Sequence, residues 1–338
     1  MPFSEPLRER GEEMRSFKYE CPGSIEEATA IMKKNPGNIK IIAGGTDLLG
    51  ILKGEIMPNY PDSVIDIGKI PGLDGVSGDK HELRIGALAR LEKIGSSEVI
   101  RKYYGVLSEA ARSVGSPQIR NMGTIGGNLC QGVRCWYYRA QGLGHPYTCI
   151  RKGGETCFAM TGDNRYHAII NGGPCFAVCP SDTATALLAL DGKIRTYKSG
   201  SGGRIIPIKE FYSNQGNKLD ADEIVVEIQI PGPPQGARHF YRKFRLRKAI
   251  DFAVVSVALI AATEDRVCRY ARIVLGGVAP MPIRAVKAEE KVAGHRVDEI
   301  NIADATEAAL ADAEPLSRNS YKVEIAKRMV GRAIMALI

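Results

Sequence analysis

The stretch Gly115-Ser116-Pro117-Gln118-Ile119-Arg120-Asn121-Met122-Gly123-Thr124-Ile125-Gly126-Gly127-Asn128 decides how this chain is read. It is rich in glycine and leads directly into Cys130, Cys135, Cys149, Cys157, Cys175 and Cys179, six of the chain's eight cysteines within about fifty residues. Pro180-Ser181-Asp182 closes the region. Thiolates crowded in this way repel, oxidise and cross-link unless something binds them. A glycine-rich loop running into such a cluster suggests two redox centres side by side.

The cysteines leave three readings open. Structural zinc favours C-x₂₋₄-C pairs, and Cys130/Cys135 and Cys175/Cys179 come nearest, with four and three intervening residues. Ferredoxin-like clusters favour tight C-x₂-C runs, which are absent. Spacing therefore does not choose the metal, and unliganded buried thiols or a disulfide remain alternatives. His145 and His167 lie inside the region as further donors. With so many cysteines at hand, they read as surface or hydrogen-bonding residues. Trp136, Tyr137 and Tyr138 beside Cys135 could shield a cluster or cover the loop's own small core.

Upstream, a strand at Ile39-Lys40-Ile41-Ile42 breaks into Ala43-Gly44-Gly45-Thr46-Asp47-Leu48. Two glycines after a β-rich run let backbone amides approach a ligand with no Cβ in the way. Successive amides in such a turn form an anion nest, Thr46 adds a hydroxyl, and a pyrophosphate is the natural occupant. The segment matches neither G-x-G-x-x-G nor the P-loop, and an ordinary strand-to-helix turn is the plain alternative.

Around these segments the chain reads as a mixed α and β protein. Ser24 and Glu27 form a capping box for a helix halted at Asn35-Pro36-Gly37-Asn38. Ser63 to Ile67 alternates as a strand, and Leu83 to Gly86 pairs back as a hairpin. Leu91 to Ile100 and Val106 to Val114 read as helices, Thr183 to Leu190 as a helix or buried turn, and Lys193 to Pro207 as a hairpin. Pro231-Gly232-Pro233-Pro234 ends a strand from Glu223 and gives the strongest boundary signal. Strands at His239 to Leu246, Phe252 to Ala262 and Ala271 to Leu275 follow, then three helical segments ending at Leu337.

The 338 residues are 44% hydrophobic and 25% charged, as in a globular protein that can bury a real core. No apolar run approaches the roughly 18 residues of a membrane span, and the charged start is no signal peptide, so a cytoplasmic location is expected. The net charge of +8 is scattered rather than gathered into a nucleic-acid footprint. Anionic cofactor phosphates or an acidic partner account for it as well.

Ala43 to Leu48, Gly123 to Asn128 about 80 residues later, and Pro180 to Asp182 together resemble the FAD-binding medium subunit of the xanthine dehydrogenase and carbon monoxide dehydrogenase family of molybdenum hydroxylases. The resemblance covers nearly all of the chain after residue 15. It extends to an Arg247-Lys248-Ala249-Ile250-Asp251-Phe252-Ala253 strand and a Ser320-Tyr321 helix. It implies an α+β protein with a PCMH-type FAD-binding fold of two α/β subdomains and a C-terminal domain of antiparallel sheet and helices. The expected limits are a tail at 1–15, subdomains at 16–70 and 71–231, and the C-terminal domain at 232–338.

The long cysteine region, at about 130–179, is similar to the insertion of one subset, represented by the 4-hydroxybenzoyl-CoA reductase β subunit and a periplasmic aldehyde oxidoreductase FAD subunit. There four cysteines hold a [4Fe–4S] cluster. That likeness, with Asn164-Arg165-Tyr166-His167-Ala168, implies Cys135, Cys149, Cys157 and Cys175 as ligands and Cys130 and Cys179 as spare thiols. It further implies a pyrophosphate site at Ile42, Ala43, Gly44, Gly45, Thr46, Asp47 and Leu48. Thr124, Ile125, Gly126, Gly127 and Asn128 would form a second phosphate and ribityl wall. Asp182 would hydrogen-bond the cofactor, with Lys243 and Val225 on the flavin side.

No side chain here need be a catalytic acid or base, because the flavin carries the chemistry. Molybdopterin and [2Fe–2S] centres are expected on a large and a small partner subunit, possibly as a dimer of heterotrimers. NAD, ferredoxin or a quinone would serve as external carrier. A self-contained FAD oxidoreductase, or a flavoprotein with structural zinc in its cysteine loop, are the rival expectations.

Overall fold

The computed structural model describes residues 14–140 and 147–337. His145 and most of the expected N-terminal tail lie outside the described residues. Among the described residues, three main sheets follow one another along the chain, and Tyr212–Ser213 pairs with Gly216–Asn217 in a separate two-stranded one. Lys18–Glu20, Ser63–Asp66 and Ile39–Ile42 form a parallel sheet with Ser63–Asp66 in the centre. Five strands then make an antiparallel sheet in the order Val76–Gly78, Glu82–Gly86, Glu223–Pro231, Lys193–Lys198, Ile205–Pro207. Arg238–Phe244, Val255–Glu264, Val267–Gly276 and Ile283–Arg284 form the third, also antiparallel. With helices packed between and beside them, the protein is α+β.

Local chemistry explains the elements. Helix Ile25–Lys34 starts where Ser24 accepts the Glu27 amide, and the Glu27 carboxylate reaches back to the Gly23 amide at 2.8 Å. Helix Asp182–Ala189 is buried along its whole length between the second and third sheets, with alanine, threonine and leucine at every position after Asp182. The last helix, Tyr321–Met335, lays Ala326, Met329, Val330, Ala333 and Ile334 against the continuously buried Val255–Ala261 run.

Four expectations are corrected. Ser63–Asp66 pairs with its parallel neighbours, and the hairpin partner of Glu82–Gly86 is Val76–Gly78, which overlaps Ser77-Gly78-Asp79-Lys80, a turn by its sequence. The expected helix at Leu91 to Ile100 is two, Leu91–Ser96 and Glu98–Tyr103, because Ser97 leaves the helical region and caps the second. The organising glycine stretch is no loop: Pro117–Met122 and Ile125–Cys130 are one-turn helices, capped by Ser116 and Thr124. Residues 245–254 form a loop between two strands, not a strand. The Asp251 carboxylate takes the Leu246 and Arg247 amides at 3.1 and 2.9 Å, and Ile250 turns to φ +53°.

Among the described residues, no helix is long and apolar enough to cross a membrane.

Candidate functional site

The two glycine segments meet in space. A Cβ at Gly44 would run into the carbonyl of Met122, and Gly123 faces the Thr46 hydroxyl. Gly45 has φ +69°, a conformation that glycine adopts without strain. Among the described residues, the amides of Gly44, Gly45, Thr46 and Asp47 have no protein acceptor. They form the open nest that the sequence suggests.

The second segment serves differently. Ile125 and Gly126 donate their amides to the carbonyls of Ala89 and Ala87, at 3.0 and 2.9 Å. Gly127 and Asn128 donate to the hydroxyl and carbonyl of Thr124. Its glycines permit close packing, since a Cβ at Gly126 would sit 2.9 Å from the Ala87 carbonyl. This helix therefore presents a smooth wall whose amides are already satisfied.

Between these segments opens a cleft of about 590 Å³, within the roughly 300–1,000 Å³ of ligand sites. Ala43 to Leu48, Thr124, Gly126, Gly127, Asn128, Asp182, Val225 and Lys243 all line it. Ile42 and Ile125 do not: Ile42 lies behind the turn against Gly45, and Ile125 is fully buried in the main core. Sequence reasoning missed Leu88, Leu91, Arg134, Arg139 and the loop residues Ile250 to Phe252 as lining. The Arg134 guanidinium lies 4.7 Å from the Phe252 ring centroid, at the cleft's edge. A lone basic residue before Cys135 gives no such signal.

Two carboxylates in the cleft are already engaged. Asp182 is almost solvent-free; it accepts from Lys243 Nζ at 2.6 Å and from the Tyr241 hydroxyl at 2.7 Å. Burial, then the Asp182 charge, raises Tyr241 well above the usual phenol range. Asn128 Oδ1 accepts from Ser181 and Thr183 at 2.6 and 2.7 Å, which fixes the Pro-Ser-Asp turn to the glycine helix. Asp47 accepts from Arg139 at 2.7 Å, Arg134 at 2.9 Å and the Gly132 amide at 2.8 Å. Asp47 thus ties the first glycine turn to the start of the cysteine insertion, a link across some 90 residues with no local sequence signal.

The cysteines separate into two groups. Cys130 lines the cleft and Cys179 belongs to the main core; both lie near Tyr212, and burial raises their thiols to about 12 and about 11. Cys135, Cys149, Cys157 and Cys175 gather in the insertion. Burial raises the Cys135 thiol to about 11, with the Cys175 and Cys149 charges adding to it and the Tyr138 and Tyr137 amides donating to its sulfur. Cys157 shares a hydrogen bond with Cys175, which holds Cys175 below and Cys157 above the usual thiol range. Backbone amides also reach these sulfurs: Phe176 and Ala159 for Cys157, and Ala177 for Cys175.

His167 Nε2 lies 3.2 Å from Cys135 Sγ, while its buried Nδ1 has no partner among the described residues. Burial, then the Lys322 charge, lowers His167 to about 4. Trp136 and Tyr137 pack edge-on or tilted against its ring. Among the described residues, no three His, Cys, Asp or Glu side chains converge where a single metal ion would sit.

Sequence-family profiles match both halves of the chain. One, described as the FAD binding domain in molybdopterin dehydrogenase, matches residues 15–233. Another, the CO dehydrogenase flavoprotein C-terminal domain, matches residues 239–337. The chain is similar to the aldehyde oxidoreductase FAD-binding subunit PaoB of Escherichia coli (strain K12), with 34% identity over 329 residues covering 95% of this chain and 98% of that protein. It is also similar to the carbon monoxide dehydrogenase medium chain of Hydrogenophaga pseudoflava, with 28% identity over 325 residues covering 95% and 96%. Among solved structures it is similar to carbon monoxide dehydrogenase from Hydrogenophaga pseudoflava lacking the Mo-pyranopterin moiety of the molybdenum cofactor. That match has TM-score 0.75 and 26% identity and covers 96% of this chain and 99% of the other. With a domain profile over most of its length and a curated relative along nearly all of it, the chain belongs to the FAD-binding medium subunits of the molybdopterin dehydrogenases, the oxidoreductases known as molybdenum hydroxylases.

Proposed function

We propose that the chain is the electron-relay subunit of a multi-subunit molybdenum hydroxylase, holding FAD in the cleft and a [4Fe–4S] cluster in the insertion. When bound, the two groups supply one- and two-electron redox chemistry. The observation that carries the flavin site is the open nest of Gly44 to Asp47 amides, facing the cleft beside a satisfied glycine helix. In this reading those amides and the Thr46 hydroxyl bind the pyrophosphate. Thr124, Gly126, Gly127 and Asn128 give the cofactor a close apolar and hydroxyl wall. Asp182 acts through Lys243, holding the ammonium at the flavin side of the cleft while Val225 packs beneath.

Three features support a cluster held by Cys135, Cys149, Cys157 and Cys175. Amides and side chains already donate to three of these sulfurs, as thiolate ligands require. Cys130 and Cys179 lie apart from these four, one lining the cleft and the other in the main core. A four-iron group binds each thiolate at a different iron, so its ligands need not converge on one point as zinc ligands do. Electrons would pass between molybdopterin and [2Fe–2S] centres on large and small partner subunits and an external carrier such as NAD, ferredoxin or a quinone. Relatives named as medium chains and FAD-binding subunits are in keeping with such an assembly.

The flavin site is tested by Gly45→Val, assayed for flavin per chain. A branched side chain at φ +69° strains the turn and displaces its amides. Occupancy should fall by about tenfold or more with the fold intact by circular dichroism, and native occupancy would remove this turn from the phosphate site.

A further inference from the structure

Arg151 sits in the short 3₁₀ turn Ile150–Lys152, immediately after Cys149, yet its guanidinium is directed at another cysteine. Nε donates to Cys175 Sγ at 3.0 Å. The rest of the fork is anchored: Nη1 donates to the Gln215 carbonyl at 2.6 Å and Nη2 to the Asn214 carbonyl at 3.0 Å. Both carbonyls belong to the turn that joins Tyr212–Ser213 to Gly216–Asn217. Asn214 in turn donates to the Gly173 carbonyl, two residues before Cys175. Turn, arginine and cysteine segment form a closed ring of contacts. Among the described residues, no carboxylate pairs with this guanidinium, and the one side chain it meets is Cys175.

We propose that Arg151 is a positioning residue that holds a fixed cation against the Cys175 thiolate and so raises the reduction potential of the cluster. The proposal rests on the four-cysteine cluster reading above. One-electron reduction adds a negative charge to a centre that four thiolates already make anionic. A guanidinium in hydrogen-bond contact with one sulfur stabilises that added charge more than it stabilises the oxidised state. Arginine does not lose its proton in proteins, so the bias persists across the physiological pH range. The contact between His167 and Cys135 differs in kind: a single ring nitrogen lies 3.2 Å from the sulfur, with no anchored guanidinium fork behind it.

The test uses the protein purified anaerobically with its partner subunits, in native form and as Arg151→Gln and Arg151→Lys. Iron and flavin are assayed, and a redox titration is followed by electron paramagnetic resonance. Arg151→Gln should keep its iron and need a more reducing potential. At the native midpoint its reduced-to-oxidised ratio should fall about tenfold, which is 59 mV for one electron. Arg151→Lys should lie between the two, and the flavin midpoint should not move. Iron retained in Arg151→Gln with an unchanged cluster midpoint overturns the proposal and leaves the cluster reading standing. Loss of iron from both variants makes Arg151 a structural tether and overturns it equally. Native protein without iron would end the cluster reading itself, and this inference with it.

Discussion

The cleft and the cysteine insertion are neighbours, but they are stabilised on different terms. The cleft is walled by residues that also build the main cores: Leu91, Ile224 and Val225 line it and are at least 95% buried. Its shape follows from packing that exists without an occupant. The insertion has a core of its own made of Val133, Cys175 and Ala177, with Cys135, Tyr138 and Ile150 at its margin. Little regular structure joins them: one helical turn at Trp136–Arg139 and the 3₁₀ turn at Ile150–Lys152.

What holds the insertion is a set of polar ties to elements far away in sequence. Asn319 donates to the carbonyls of His167 and Ala168 at 3.2 and 3.1 Å, and Asn164 bonds Ser317 and the Arg318 amide. The fully buried Lys322 donates to the carbonyls of His167 and Gly277 at 2.9 and 2.6 Å. Trp136, Tyr137, Tyr147 and Phe158 pack on one another, and Ile169 and Ile170 reach the second core; under the proposed reading, ligation by the thiolates would add folding energy to these contacts. In the cleft, cofactor binding fills a shape already formed.

The largest expected effect separates the two regions outright. Cys149→Ser should lose most of its iron and make residues 147–179 sensitive to protease, while flavin per chain stays near native. Unchanged iron would contradict the ligand assignment, and joint loss of flavin would show that the cleft depends on the insertion after all. Gly44→Val should do the reverse. Its side chain enters the space of the Met122 carbonyl and forces apart the two glycine segments, so flavin occupancy should drop by about tenfold or more with iron retained. Native flavin content in that variant would mean that the close approach of the segments does not shape the site.

A smaller effect probes the polar ties. Asn319→Ala leaves the Ala168 carbonyl and the Leu316 amide unmet, while His167 keeps its bond from Lys322, and should lower thermal stability by ~1–3 kcal/mol. Hydrogen exchange should rise in 159–170 and not in 43–48. Equal exchange in both segments would dissolve the contrast between them.

The smallest effect is a pH dependence. Burial lowers the Lys322 ammonium from the usual 10.5 to about 7. Between those values the unfolded chain binds more protons than the folded one, so stability contributed at this site rises with pH and is least below about pH 7. The melting temperature of the native protein relative to Lys322→Met should therefore increase from about pH 6.5 to about pH 9. A difference that stays flat across that range would place the titration elsewhere.

Much of the cleft was legible in the sequence because its chemistry is local. Gly44-Gly45-Thr46 announces a turn with exposed amides, and Ser24 with Glu27 announces a helix start. What the sequence hides is competition for those groups by distant partners. The amides of Ile125 and Gly126 look as available as those of Gly44 and Gly45 until the carbonyls of Ala89 and Ala87 are found opposite them. Asp182 looks like a cofactor acceptor until Tyr241 and Lys243, about 60 residues on, claim both its oxygens. The same limit explains the glycine stretch, where glycine content suggested a loop but Ser116, Pro117 and Thr124 supply enough capping for two helical turns.

Whether one chain holds two redox groups side by side can be read from an ultraviolet–visible spectrum of anaerobically purified protein, with flavin, iron, sulfide and zinc assayed on the same sample. The expected result is flavin bands over a broad absorbance near 400 nm (roughly where oxidised four-iron clusters absorb), with about four irons and four sulfides per FAD. Flavin with zinc in place of iron, or with no metal at all, would contradict it.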